Sequence, residues 1–174
     1  MANLKLVAVS SDYYDQIQQY RQAYLDAGED IHGGSGLENY EDPAEWQDLV
    51  ARYRETTSVP TGWVPAETWL VVRESDNSVV GLVNLRLQLN EYLENYGGHV
   101  GYSIAIGEWG KGYGTVALAL TIDAARERGM GRLLVTCDAV NHRSEQVIIH
   151  NGGVLENTVV APDSRELRRY WITL

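Results

Sequence analysis

A glycine-rich segment with one lysine, Gly110–Thr115, reads Gly-Lys-Gly-Tyr-Gly-Thr and carries the clearest chemical signal in the sequence. Glycine has no Cβ, so three glycines at alternate positions let main-chain amides point toward one centre. The residues before the segment favour a strand. Those after it favour a helix, whose free N-terminal amides and dipole attract anions. We therefore expect an anion site suited to a pyrophosphate, with a ligand-free glycine turn as the alternative.

Two known phosphate-binding patterns fit this segment poorly. A Walker loop ends in Gly-Lys-Ser/Thr, but here Gly112 follows Lys111, and Ala105 stands where the first glycine belongs. Residues 112–117 do match the dinucleotide pattern G-x-G-x-x-A, and Asp138 lies 26 residues (138 − 112) after Gly112. However, only 36 residues (174 − 138) follow Asp138, too few for the rest of a doubly wound domain. A nicotinamide-dependent oxidoreductase therefore stays only as an alternative.

The elements that must position this loop alternate between helix and strand patterns. Asp42-Pro43-Ala44-Glu45 combines an N-cap, a proline at the first helical position and a capping glutamate, which predicts a helix start. The predicted order is βααβββαβαβ, with room for one more strand before the tail. We predict an α/β fold in one domain over residues 1–174. It has a single mixed, mostly antiparallel sheet flanked by helices, and one parallel βαβ unit forms a cleft beside the loop.

The net charge, the cysteine count and the lack of a long apolar stretch exclude several classes of function. The 174 residues include 14 Lys and Arg against 24 Asp and Glu, a net charge of −10. A chain this acidic is a poor nucleic-acid or anionic-membrane binder, whereas a cationic amine would meet a favourable field. The single cysteine, Cys137, excludes an intrachain disulfide, and no stretch is long and apolar enough for a membrane span. We expect a cytoplasmic protein with no metal site, and we interpret Cys137 as a small buried residue rather than a nucleophile.

Residues 99–153 resemble the core of the GCN5-related N-acetyltransferase superfamily. The resemblance rests on a strand, on the glycine loop with its helix, and on a second strand that is followed by short polar motifs. In this sequence the three parts are 100–106, 109–115 and 133–138, the last followed by Asn141, Ser144 and the turn Asn151-Gly152-Gly153.

The resemblance implies direct acetyl transfer from acetyl-coenzyme A to a primary amine of a small molecule or peptide. It also leaves a homodimer open. The strand before the loop would offer main-chain groups to the pantetheine arm, and one amide would stabilise the oxyanion. The implied cofactor-binding residues are Ile104, Ala105, Ile106, Trp109, Gly110, Lys111, Gly112, Tyr113, Gly114, Thr115, Asn141 and Ser144.

Two positions depart from the family pattern. Trp109 stands where the family has Gln or Arg, so Lys111 is the candidate for the missing charge. Ile148 stands seven residues after Asn141, where many members have the tyrosine that protonates the leaving thiolate. Ser144 is the remaining candidate acid, although its alternative role is to start the short helix. A coenzyme A-binding domain without catalysis is therefore a second interpretation.

The general base is less defined by the sequence. Some relatives have a glutamate at the start of the strand before the loop, and that place falls at Gly98 or His99. We predict His99, since the ordinary pKa of imidazole suits neutral pH, with a structural hydrogen-bonding role as the alternative. Glu67, Glu91, Asp138 and a base that acts through water are the other candidates.

Overall fold

A computed structural model describes residues 2–174, which form seven strands and four α-helices. Short 3₁₀ turns lie at Ser11–Tyr13, Leu37–Asn39 and Ile106–Glu108, and one π-helical turn lies at Leu93–Gly97. In chain order the elements are β1 (Leu4–Ala8), α1 (Tyr14–Ala27), α2 (Pro43–Arg54), β2 (Ala66–Arg73), β3 (Ser78–Arg86), β4 (Val100–Ile104), α3 (Tyr113–Glu127), β5 (Arg132–Asp138), α4 (His142–His150), β6 (Val154–Val160) and β7 (Glu166–Thr173).

The strands form two sheets rather than one. The first has the order β1-β2-β3-β4 and the second β5-β7-β6, and every ladder in both is antiparallel. The predicted mixed α/β class, with mostly antiparallel strands flanked by helices, is confirmed, and the extra strand before the tail is β6. No ladder joins β4 to β5 within residues 2–174, so the parallel pairing stays a prediction.

Two hydrophobic clusters pack the helices against opposite faces of the strands. Successive residues of β2 belong to the two clusters in turn, because successive side chains of a strand point to opposite faces of the sheet. Val71 belongs to the cluster under α3, and Leu70 belongs to the cluster under α1 and α2. Helix α2 starts at Pro43 as predicted, with Asp42 Oδ1 accepting from the Ala44 amide at 2.9 Å. The expected return bond from the Asp42 amide to the Glu45 side chain is not found among residues 2–174. None of the helices in residues 2–174 is long and apolar enough to span a membrane.

His99 joins the two sheets. Its main-chain N–H donates to the Leu134 carbonyl at 2.7 Å, and its Nδ1 accepts from the Leu134 amide at 2.8 Å. Gly98 makes this approach sterically feasible, because its φ is +66° and a Cβ there would lie 2.5 Å from the Leu134 oxygen. Burial, with smaller effects from Arg86 and Arg132, lowers the pKa of His99 to about 4. The imidazole therefore holds its neutral form and serves as an acceptor for the main chain.

Removing this acceptor should destabilise the fold. We expect His99→Ala to lower the free energy of unfolding by about 1–3 kcal/mol, because the Leu134 amide loses its buried partner. His99→Asn, whose side-chain oxygen can accept the same bond, should recover part of the loss. Urea unfolding of the two variants at pH 7 measures the difference, and equal stabilities would contradict the role assigned to Nδ1.

The same residue predicts a pH dependence. The pKa of His99 lies below the ordinary histidine value in the folded state, so between about pH 6.5 and 4 the unfolded chain binds a proton that the folded chain does not. The stability contributed by His99 is present above this range and is lost as the pH falls through it. We expect His99→Asn to show a shallower loss of stability from pH 7 to pH 4.5 than the wild type, and parallel curves would refute this origin.

Candidate active site

A gap opens between β4 and β5 beyond the His99–Leu134 contact. Strands β3 and β4 pair over their whole common length. At one end the Arg86 amide donates to the His99 carbonyl at 2.7 Å, and at the other end the Ala105 amide donates to the Val80 carbonyl at 2.9 Å. Because main-chain groups alternate in direction along a strand, those of Val100, Tyr102 and Ile104 point to the other edge of β4. No strand among residues 2–174 pairs with that edge. The gap is therefore bordered by main-chain groups that no strand of residues 2–174 pairs with, and those not used by other contacts can bind an extended ligand.

The three residues predicted to hold a pantetheine arm, Ile104, Ala105 and Ile106, differ in which main-chain groups are available to a ligand. The Ala105 amide donates to Val80, and its carbonyl accepts from the Glu108 amide at 2.8 Å, so both groups are used within the chain. The Ile104 carbonyl lies at the free edge, where it accepts from Tyr24 Oη at 2.6 Å and from Trp109 Nε1 at 2.7 Å. Ile106 begins the short 3₁₀ turn that leads into the loop. Both main-chain groups of Ala105 and the carbonyl of Ile104 are thus used within the chain. The Ile104 amide, which points to the free edge, is therefore the favoured contact for a ligand.

The glycine loop ends in a helix whose first amides are uncapped. Gly110 and Gly112 have φ values of +81° and +80°, which L-residues with a side chain rarely adopt. Gly112 is the N-cap of α3 and provides no side-chain acceptor, and the first turn holds no acidic residue. The amides of Tyr113, Gly114 and Thr115 thus lack helical acceptors and are directed out of the helix end. This arrangement can bind a phosphate.

Gly114 allows the start of α3 to lie against α4. A Cβ at this position would be 3.2 Å from the Val147 side chain, with Ile104 and Tyr102 side chains just beyond at 3.8 and 3.9 Å. The side chain of Asn151 at the end of α4 donates to the Thr115 carbonyl at 3.1 Å. The loop, the free edge of β4 and helix α4 therefore meet at one place.

An ion-pair network fixes the loop from the other side. Lys111 Nζ is 2.7 Å from Glu108, and Glu108 is 3.1 Å from Arg73, which also pairs with Asp76 at 2.7 Å. The bond from Lys111, followed by the contribution of Arg73, lowers the pKa of Glu108, so the carboxylate stays charged. Arg73 also donates to the Tyr113 hydroxyl at 3.2 Å. Lys111 is paired with Glu108 within the loop, and its predicted role in supplying charge to a phosphate stays a prediction.

Helix α4 places a hydroxyl pair beside the gap. Asn141 caps the helix, since its Oδ1 accepts from the Ser144 amide at 3.1 Å. Ser144 Oγ is 2.7 Å from the hydroxyl of Tyr102, a residue of β4. Burial raises the pKa of Tyr102, so its phenol stays protonated at neutral pH. Ile148 is fully buried in the core one turn later on the same helix.

Tyr102 is a candidate site residue that the sequence does not single out. Its alternation in β4 indicates a strand residue, but nothing in the sequence indicates that its hydroxyl reaches Ser144, 42 positions away. In contrast, the expectation for Cys137 agrees with the structure: the side chain is 6% exposed, and burial raises its thiol pKa to about 11.

Three of the four candidate base side chains make contacts that favour structural roles. His99 Nδ1 is committed to the Leu134 amide, which argues against its predicted role as the base. Glu67 pairs with Arg128 and, at 3.6 Å, with Arg54. Asp138 accepts from the Val140 amide at 3.1 Å. Glu91 is exposed, and its main-chain carbonyl, rather than its carboxylate, accepts from Asn95 Nδ2 at 2.7 Å. Glu91 and a base that acts through water therefore stay open as candidates.

Known proteins share both the sequence pattern and the fold. Residues 9–154 match the acetyltransferase (GNAT) domain family. No match is found among curated protein sequences. A structure titled RimL, a ribosomal-protein alpha-N-acetyltransferase in complex with coenzyme A, superimposes with a TM-score of 0.72 at 16% identity, covering 100% of this chain and 96% of that one. A chimera of the Vibrio cholerae spermidine N-acetyltransferase SpeG and hSSAT gives 0.68 at 17% identity, covering 98% and 95%.

A third similar structure is Mycobacterium smegmatis RimJ with coenzyme A disulfide, with a TM-score of 0.72 at 19% identity, covering 98% of this chain and 81% of that one. The family match confirms the expected acyl-CoA-dependent acetyltransferase with acetyl-coenzyme A as its donor, and it sets the oxidoreductase alternative aside. An uncapped helix start beside an unpaired strand edge suits that donor. On the sequence match over most of its length and the fold around it, the chain belongs to the acetyltransferase (GNAT) family.

Proposed function

We propose that this protein moves an acetyl group from acetyl-coenzyme A to a primary amine of a small molecule or peptide. The observation that carries the proposal is the pairing of two features at one place: the uncapped start of α3 and the unpaired edge of β4. The first suits a pyrophosphate, and the second suits an extended arm with amide groups. A single acetyltransferase domain, a cytoplasmic location and a homodimer stay predictions.

The chain's own groups would hold the donor in two stretches. The amides of Tyr113, Gly114 and Thr115 would bind the pyrophosphate, and the edge formed by Tyr102 and Ile104 would bind the pantetheine arm. When bound, acetyl-coenzyme A supplies an acetyl thioester whose sulfur leaves with the electron pair of the broken carbon–sulfur bond. Asn141 supports this site indirectly, because its side-chain oxygen is used to cap α4.

The acceptor should be an amine that is cationic before it reacts. The net charge of −10 favours the approach of a cation and disfavours an anionic acceptor. Two similar proteins are titled as acetyltransferases of spermidine and of a ribosomal protein, which are small-molecule and protein acceptors respectively. The amine must lose a proton before it attacks, and water is the proposed route because the side chains of His99, Glu67 and Asp138 are engaged within the chain.

Tyr102 and Ser144 are proposed to protonate the leaving thiolate. Their oxygens are 2.7 Å apart, so Ser144 can give its proton to the sulfur and receive one from the phenol. The resulting Tyr102 phenolate then regains a proton from water, which carries the proton that the amine has lost. The pair would replace the tyrosine that many family members carry where this chain has Ile148. The buried Ile148 also favours the second candidate function, a coenzyme A-binding domain without catalysis.

The two functions separate in a thiol-release assay with a panel of amines. The panel should include spermidine and peptides with free N-termini. We expect acetyl-coenzyme A-dependent thiol release with at least one amine, at a rate that rises with amine concentration. Coenzyme A binding without thiol release across the panel would support the non-catalytic domain instead.

The phosphate loop can be tested with glycines at the two ends of α3. Gly112 and Gly129 both have positive φ, +80° and +74°, so Gly112→Val and Gly129→Val impose similar backbone strain. We expect calorimetry to show coenzyme A binding weakened by roughly tenfold or more in Gly112→Val only, because its side chain enters the phosphate site. Equal affinities in the two variants would show that the loop is only a turn.

The proton-donating pair makes a separate kinetic prediction. Tyr102→Phe and Ser144→Ala should lower kcat by about 10²-fold while the Kd for coenzyme A changes little, since the hydroxyls act on the leaving group. Tyr170→Phe is the matched control, because it removes a phenol that bonds to Glu145 on the same helix. If both test variants keep kcat within about twofold of Tyr170→Phe, another group supplies the proton.

A further inference from the structure

Arg143 lies in the first turn of α4, at the side of the glycine loop. Its guanidinium carbon is 5.4 Å from the centroid of the Trp109 ring, within the range of a cation–π contact. The residue is exposed. None of the ion pairs found in the part of the chain that the structure describes includes Arg143. Its charge is thus stacked on an aromatic ring and is not cancelled by a carboxylate.

Trp109 is held in a defined place by its own hydrogen bond. Its Nε1 donates to the Ile104 carbonyl at 2.7 Å, which ties the ring to the free edge of β4. The residue is 39% exposed. Arg143 therefore rests on a surface that is fixed relative to the gap and to the start of α3.

The position of Arg143 has little structural benefit. A positive charge in the first turn of a helix opposes the helix dipole, which favours anions there. Glu145, the acidic residue of the same turn, is engaged by Arg168 and Tyr170. Arg143 therefore keeps its charge available for an anion outside the chain.

The loop itself brings no net charge to such an anion. Lys111 and Arg73 are balanced by Glu108 and Asp76 in one network, and the whole chain carries a charge of −10. Coenzyme A is a polyanion, so its phosphates need a local cation in addition to the helix amides.

We propose that Arg143, positioned by Trp109, is the cation that binds the pyrophosphate of coenzyme A. The inference rests on the proposed function. In the family pattern, the basic side chain stands on the loop at position 109. In this chain, Trp109 on the loop and Arg143 on α4 would together replace that side chain.

The test measures the affinities of Arg143→Gln for coenzyme A, for dephospho-coenzyme A, which lacks the 3′-phosphate, and for pantetheine, which lacks phosphate. We expect coenzyme A and dephospho-coenzyme A each to bind about fivefold to tenfold more weakly at low salt, with the loss shrinking as salt rises. Pantetheine binding should not change. A loss seen only with coenzyme A would overturn the assignment by placing Arg143 on the 3′-phosphate.

Arg126→Gln is the matched control for net charge. Arg126 is exposed on α3 and pairs with Asp123, so its removal changes the total charge equally without touching the loop. Equal affinities of Arg143→Gln and Arg126→Gln for coenzyme A would refute the inference. Failure of the wild type to bind coenzyme A would instead refute the proposed function, so the two failures are distinguishable.

A double-mutant cycle tests the part played by Trp109. Trp109→Leu should weaken coenzyme A binding when Arg143 is present, because the guanidinium loses its aromatic support. In the Arg143→Gln background the same change should weaken binding by clearly less, since the supported charge is gone. Additive losses would show that Trp109 does not position Arg143.

Discussion

The hydrogen bonds between His99 and Leu134 are the constraint on which the site depends. An ordinary sheet would continue its ladder from this point, since unpaired main-chain groups are costly when they lack partners. Here the imidazole Nδ1 takes the place of a main-chain carbonyl, and the strands separate beyond it. The contact fixes one end of the gap, and the free edge of β4 is left for a ligand that presents amide groups of its own.

Helix α3 converts this gap into a site for one class of molecule. Its uncapped amides lie where the chain leaves β4, so phosphate binding and main-chain pairing are available to the same extended ligand. Gly114 allows α4 to pack close to the start of α3. Helix α4 carries Ser144 and Arg143, to which we assign two different roles. In this account the hydroxyl acts on the leaving sulfur, and the guanidinium acts on the phosphates.

Much of this arrangement follows from local sequence, and some of it cannot. The capping pattern at Asp42 and the positive φ at Gly110 and Gly112 follow from residue type and spacing. The break between the sheets does not, because it depends on one side chain, His99, replacing a distant carbonyl. Likewise, the contact of Tyr102 with Ser144 and the pairing of Lys111 with Glu108 are set by tertiary geometry. The sequence therefore favours Lys111 as the cation, whereas Arg143 has no carboxylate partner among residues 2–174.

The central claim is that coenzyme A binds across the start of α3 and the free edge of β4. An NMR titration of the ¹⁵N-labelled protein with coenzyme A tests it directly, because each amide reports its own surroundings. The account predicts the largest shift changes at the amides of Gly112 to Thr115 and of Ile104, with small changes at α1, α2 and β6. Saturable changes confined to other elements, with the α3 amides unmoved, would contradict it.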